Sequence, residues 1–218
     1  MIEKLSEEDI DQVAEIHMQT MPGGIIGALG PRFLRSIYYK QYIISQYAFA
    51  FVYKEEHEVI GIATACYDSG KFSNELVKKN KVKLTYYLLR GMLKSRQVFS
   101  FLLERIRESN IRKNGTIEDN INKQIMDIKA ELMVIAVKPG MQGKKIGQQL
   151  NCTWIKNLKD HGIQACKITV NSQNGGMISL QKKFGFKKFH TFKSHGKEWC
   201  LMINRNIRAF NFNNLRPC

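Results

Sequence analysis

The stretch that most constrains this chain is AELMVIAVKPGMQGKKIGQQL, from Ala130 to Leu150. It runs apolar, breaks at Pro139-Gly140, crosses a turn rich in glycine and lysine, and resumes with helical spacing. Alternation places Glu131 with Met133, Ile135 and Val137 on one face, and Leu132, Val134 and Ala136 on the other. A strand apolar on both faces is expected to be buried on both. A strand that enters a helix through such a turn leaves several N–H groups unpaired at the positive end of the helix dipole. That arrangement suits an anion, phosphate above all. The turn matches neither G-x-G-x-x-G nor the P-loop pattern, so neither a dinucleotide fold nor an ATP-binding loop is expected.

The rest of the chain surrounds this unit with alternating elements. Ser6 followed by Glu7, Glu8 and Asp9 reads as an N-cap, opening a helix that ends near Thr20. RFLRSIYYKQY predicts a second helix, and YAFAFVYKE with EVIGIATACYD a hairpin about Glu56-His57. From Lys71 to about Asn110 the pattern is helical, with apolar stripes at Leu84-Leu88-Met92 and at Phe99-Leu102-Leu103-Ile106. After the central strand come a helix to Asp160, the strand QACKITVN, a helix from Asn174 to Lys183, and two final strands. The order predicts a mixed α/β domain over residues 1–206, carrying a basic helical insertion at 69–126 between the third and fourth strands, and a frayed tail at 207–218.

Charge and cysteine content narrow the functional classes. The chain of 218 residues has a formal net charge of +15. Residues 71–113 hold twelve Lys or Arg against Glu75, Glu104 and Glu108. A field of that sign draws anionic partners and repels cationic protein tails. The five cysteines are scattered without a C-x-x-C pair, which predicts reduced thiols, no zinc site and no metal cofactor. The acidic N-terminus has no apolar leader region, so a cytoplasmic address is expected.

The central unit, taken with a second motif, resembles the GCN5-related N-acetyltransferases (GNAT). The acetyl-CoA loop of that family reads Gln or Arg, any two, Gly, any one, Gly or Ala. Here the same positions read Gln142-Gly143-Lys144-Lys145-Ile146-Gly147. Downstream, NGGMISLQKKFGF is similar to the family's Asn-x-x-Ala-x-x-Leu-Tyr-x-x-x-Gly-Phe through Asn174, Leu180, Gly185 and Phe186. The resemblance implies a mostly antiparallel central sheet, splayed between strands 4 and 5, with helices on both faces. It implies that the amides of Gln142 to Gly147 hold the pyrophosphate of acetyl-CoA. It further implies that Ile135, Ala136 and Val137 pair with the pantetheine arm, and that Asn174 contacts the cofactor. Two departures from the pattern matter. Lys145 replaces a motif glycine, and Gln181 stands where the family has a tyrosine that protonates the leaving thiolate.

AELMVIAV also resembles the fourth strand of the histone-acetyltransferase branch, whose Glu is the general base. Glu131, near the buried end of its face, is the corresponding candidate, because desolvation raises a carboxylate pKa towards neutrality. The implied activity is direct acetyl transfer to the amine of a small, anionic acceptor such as a nucleotide-linked amino sugar. A rival class stays open: a CoA-holding module without chemistry, whose basic insertion binds nucleic acid or an anionic membrane. Nucleic acid is the less expected partner. His17, His190, His195 and Cys66 carry no ligand spacing and read as packing or surface residues.

Overall fold

In a computed structural model of the protein, the described residues are 1–21, 24–95, 98–100, 123–194 and 196–211. Seven strands form one sheet in the order β1-β2-β3-β4-β5-β7-β6. They are β1 (Ile2–Lys4), β2 (Ala48–Glu55), β3 (Glu58–Cys66), β4 (Ala130–Val137), β5 (Cys166–Asn171), β6 (Lys187–Ser194) and β7 (Lys197–Asn204). Every neighbouring pair is antiparallel except β4 and β5, which run parallel. The helices described in full include α1 (Ile10–Thr20), α2 (Ile25–Ala28), α3 (Pro31–Phe33), α4 (Tyr39–Ile44), α5 (Ser69–Lys94), α6 (Ile146–Asp160) and α7 (Gly175–Lys183). A π-helical stretch, Leu34–Tyr38, joins α3 to α4. The strands follow one another as expected, with a helical insertion between β3 and β4, but between α1 and β2, where one second helix is expected, the chain forms α2, α3, the π-helical stretch and α4.

Local chemistry accounts for the element boundaries. Asp9 accepts from both the amide and the hydroxyl of Ser6, so the acids after Ser6 close a first turn before α1 begins. Asn174 caps α7 by accepting from the Met177 amide at 3.0 Å. α5 opens on Asp68, which accepts from the Lys71 amide, and bends at Asn80, whose φ of −121° is not helical. The Asn80 side chain donates to the Leu76 carbonyl there, competing with the helical ladder.

Two apolar cores sandwich the sheet. α6 covers one face, where Leu150, Trp154, Ile155 and Leu158 meet Leu132, Ile168, Phe184 and Phe186. α1 and the Pro31–Ile44 helical stretch cover the other, where Val13, Phe33, Leu34 and Ile37 meet Val52, Ile62, Val134 and Ala136.

β4 does not keep the simple alternation that its sequence predicts. Val134 lies opposite Thr64 but Leu132 lies opposite Ala65, so Met133 is an extra, bulged residue. The bulge reverses the facing of the strand. Ala130 and Leu132 pack beneath α6, whereas Val134 and Ala136 pack against the α1 side. Glu131 therefore shares its side of the sheet with Val134 and Ala136, not with Ile135 and Val137.

Two further expectations are corrected. Ile207–Phe210, assigned above to a frayed tail, are packed. Ile207 is buried in the α6-side core, Arg208 donates to the Gly162 carbonyl, and Phe210 stacks on Phe184. Cys66, Cys166 and Cys200 are free buried thiols, but Cys152 is disulfide-bonded rather than reduced. The stripe Leu84-Leu88-Met92 is half-buried; Leu102, Leu103 and Ile106 lie outside the described residues. No helix among the described residues is long and apolar enough to cross a membrane.

Candidate active site

The site is built on the parting of β4 from β5. The two strands pair through Ala130, Leu132 and the intervening Glu131, opposite Cys166 to Ile168, and no further. Past the Met133 bulge, Ile135, Ala136 and Val137 stay paired with β3 on one side only. Their other edge offers backbone donors and acceptors to an extended ligand, as a sheet edge does to an added strand.

The loop after β4 is shaped by three residues with positive φ: Gly140 at 82°, Gly143 at 82° and Lys145 at 62°. Among the described residues, no backbone carbonyl accepts from the amides of Gln142 to Gly147. They lead into the N-terminus of α6, where the dipole favours an anion. Gln142 reaches back to donate to the Val137 carbonyl at 3.3 Å, tying the loop to the strand end. A β-carbon on Gly147 would point between Leu180 and Val137, with both at 3.8–3.9 Å. Glycine thus leaves a gap where the loop, β4 and α7 meet. Lys145, at the family's glycine position, is held in the left-handed region, a costly conformation for a side chain with a β-carbon.

Glu131 sits at the paired end of β4, with its side chain 21% exposed. Burial raises its pKa above the usual carboxylate range, while Lys167 and a hydrogen bond with Ser69 pull partly the other way. The Lys167 Nζ lies 3.8 Å from the Glu131 Oε2 and donates to the Ile128 carbonyl at 3.0 Å. The charge of Glu131 is also felt by Tyr38 and Cys66, both raised chiefly by their own burial. Neither Lys167 nor Tyr38 was singled out from the sequence. Lys167 could have been found by setting QACKITVN parallel to AELMVIAV, which places it opposite Glu131.

The remaining sequence candidates separate cleanly. Asn174 uses its Oδ1 to cap α7, leaving its Nδ2 as the group able to reach a ligand. Gln181 is fully buried. It donates to Asn151 Oδ1 at 3.2 Å, an atom that also accepts from Trp154 Nε1 at 2.5 Å. At the family's tyrosine position this chain therefore has a packing residue between α6 and α7, with no proton to give. His17 is buried, hydrogen-bonded to the Tyr39 hydroxyl at 2.8 Å, and pushed down to about 4 by desolvation. It is a core histidine. His190 stacks on Phe192 in β6. Among the described residues, no group of three His, Cys, Asp or Glu is placed to hold a metal ion.

The Acetyltransferase (GNAT) domain family matches residues 102–204, which include β4, the loop and both α6 and α7. Over those residues the chain is similar to a GNAT domain. Among curated relatives, a mycothiol acetyltransferase of Paenarthrobacter aurescens is 33% identical over 66 residues, 30% of this chain and 20% of that protein. A spermidine N(1)-acetyltransferase of Thermoplasma acidophilum is 36% identical over 74 residues, 34% of this chain and 46% of that protein. The matches thus span less than half the length of these relatives. The fold agrees along nearly the whole chain. An N-acetyltransferase of Staphylococcus aureus superposes with a TM-score of 0.60 at 17% identity, covering 95% of this chain and 98% of that one. An acetyltransferase of Salmonella typhimurium, solved with its cofactor acetyl-CoA, gives 0.57 at 14% identity, covering 94% and 92%.

Proposed function

We propose that this chain is a GNAT-type enzyme that moves an acetyl group from acetyl-CoA to the amine of a small anionic acceptor, with Glu131 as general base. The observation that carries the reading is one strand with two chemistries. β4 begins at a half-buried carboxylate of raised pKa and ends at a cradle of unpaired amides, with a free edge between them. The cradle and the Gly147 gap suit the pyrophosphate of acetyl-CoA, and the edge of Ile135 to Val137 suits its amide-bearing arm. Asn174 would reach the same ligand through its Nδ2.

In this reading Glu131 takes a proton from the acceptor ammonium, directly or through one water. The freed amine attacks the thioester carbon, an amide on the β4 edge steadies the oxyanion, and the C–S bond breaks. CoA leaves as thiolate. A free thiol has a pKa of about 8.5, so departure without a proton donor is tolerable, which fits the burial of Gln181. The net charge of +15 supports an anionic acceptor such as a nucleotide-linked amino sugar, and a cytoplasmic setting suits such a substrate.

The burial of Gln181 also favours a second reading, a CoA-binding module without turnover. Release of CoA thiol from acetyl-CoA, measured against a panel of anionic amino sugars and polyamines, separates these possibilities. Thiol release with an anionic amine, and a KM that rises with salt, supports the proposal. Turnover with polyamines alone would overturn the acceptor class; acetyl-CoA binding without turnover on any amine would favour the module.

A further inference from the structure

α5 has two apolar faces, and the domain uses one of them. Beyond the bend at Asn80, Leu84, Tyr87 and Gly91 turn inward. Leu84 joins the α1-side core, the Tyr87 ring lies 5.6 Å from Phe33, and Gly91 faces Leu29 and Val98. Roughly half a turn round the helix stand Val82, Tyr86, Leu89 and Leu93, which are 84%, 56%, 58% and 90% exposed. Their spacing of four, three and four residues sets all four within about 60° of one another on a helix. The same projection places Lys81 on one side of the stripe and Lys83 and Arg90 on the other. Lys71, Lys78, Lys79 and Lys94 add to the charge of α5, whose one acid, Glu75, is paired with Lys79 and Ser45.

We propose that this outer face of α5 docks on an anionic membrane surface, with the Val82-Tyr86-Leu89-Leu93 stripe among the upper acyl chains and the flanking cations at the lipid phosphates. An apolar stripe between cationic flanks is what a helix lying in the headgroup boundary requires. Anionic headgroups supply the charge that the stripe's surroundings lack. A second copy of the chain would set the same cations against each other across the contact. A nucleic acid would take up the cations but leave four exposed apolar side chains uncovered. The stripe is not Leu84-Leu88-Met92, the one conspicuous in the sequence, because the fold turns that one inward. The inference is independent of the transferase reading.

The test is flotation of the full chain with vesicles of phosphatidylcholine alone and of phosphatidylcholine mixed with phosphatidylglycerol. A triple variant, V82Q/L89Q/L93Q, serves as the comparison, its fold checked by thermal unfolding. The wild type should bind the anionic vesicles at least about tenfold more tightly than the neutral ones. The variant should lose at least about tenfold of that binding with its melting temperature unchanged, since all three side chains are exposed. Failure of the wild type to bind anionic vesicles would overturn the proposal. So would equal binding to both vesicle types, or binding that survives in the variant. A concentration-dependent dimer abolished by the variant, without vesicle binding, would assign the face to a second copy instead.

Discussion

The Lys167 Nζ lies 3.8 Å from the Glu131 Oε2, directly across the short stretch on which β4 and β5 pair. The base candidate and the cation that tempers it are thus fixed by the same parallel register. Burial raises the Glu131 pKa and Lys167 lowers it, and burial outweighs the cation. A general base works in its ionised form, so turnover should fall as pH drops through this raised pKa. Replacing Lys167 with Met should move that acid limb to higher pH, since the lowering influence is gone. A pH–rate profile of kcat/KM checks it; an unmoved limb would separate Lys167 from the base.

Glu131→Gln should lower kcat by roughly 10²–10⁴, the usual scale for a positioned general base, while acetyl-CoA affinity changes little. The two side chains have the same shape, so packing beside Cys66 survives. Single-turnover assays with calorimetry of acetyl-CoA measure the two quantities separately. Turnover like that of the wild type would leave Glu131 as a strand-end partner of Lys167.

Gly147→Val should weaken acetyl-CoA binding without unfolding the chain. The β-carbon has ordinary contact distance to Leu180 and Val137, so the fold admits it, but the branched methyls fill the gap. Calorimetric titration decides the matter, and unchanged affinity would remove the loop from the cofactor site.

Lys145→Gly should stabilise the protein by roughly 0.5–1 kcal/mol. The left-handed φ of 62° strains a residue with a β-carbon, and only part of that relief is lost to the freer unfolded chain. Urea unfolding of the two proteins gives the difference directly.

His17 should make folding sensitive to acid. Its pKa falls from 6.5 to about 4 on burial, so between those values the unfolded chain binds a proton that the folded one refuses. Stability is therefore intact above pH 6.5 and is lost as pH drops towards 4, by about 1.4 kcal/mol per pH unit at most. His17→Phe should flatten that slope, at the cost of the hydrogen bond to Tyr39 near neutral pH. Unfolding free energies at pH 7 and 4.5 test it.

Much of this architecture is legible in the chain because it is written in local chemistry. The caps at Ser6 and Asn174, the Pro139-Gly140 break and the glycine-built turn need only neighbouring residues, so the order of strands and the position of that turn follow from the sequence. Non-local pairing decided the rest. The bulge at Met133 is invisible in AELMVIAV, because an extra residue in one strand exists only relative to its partner, β3. That bulge reversed the facing of Glu131 and chose Tyr38 and Cys66 as its surroundings. Lys167 became its partner only through the parallel register of β5, and Gln181 became a packing residue only because α6 brings Asn151 beneath it. Periodicity alone marked Leu84, Leu88 and Met92 as the notable stripe of α5. Which side of a helix meets the core depends on what stands beside it, and here Phe33 and Leu29 left Val82, Tyr86, Leu89 and Leu93 facing out.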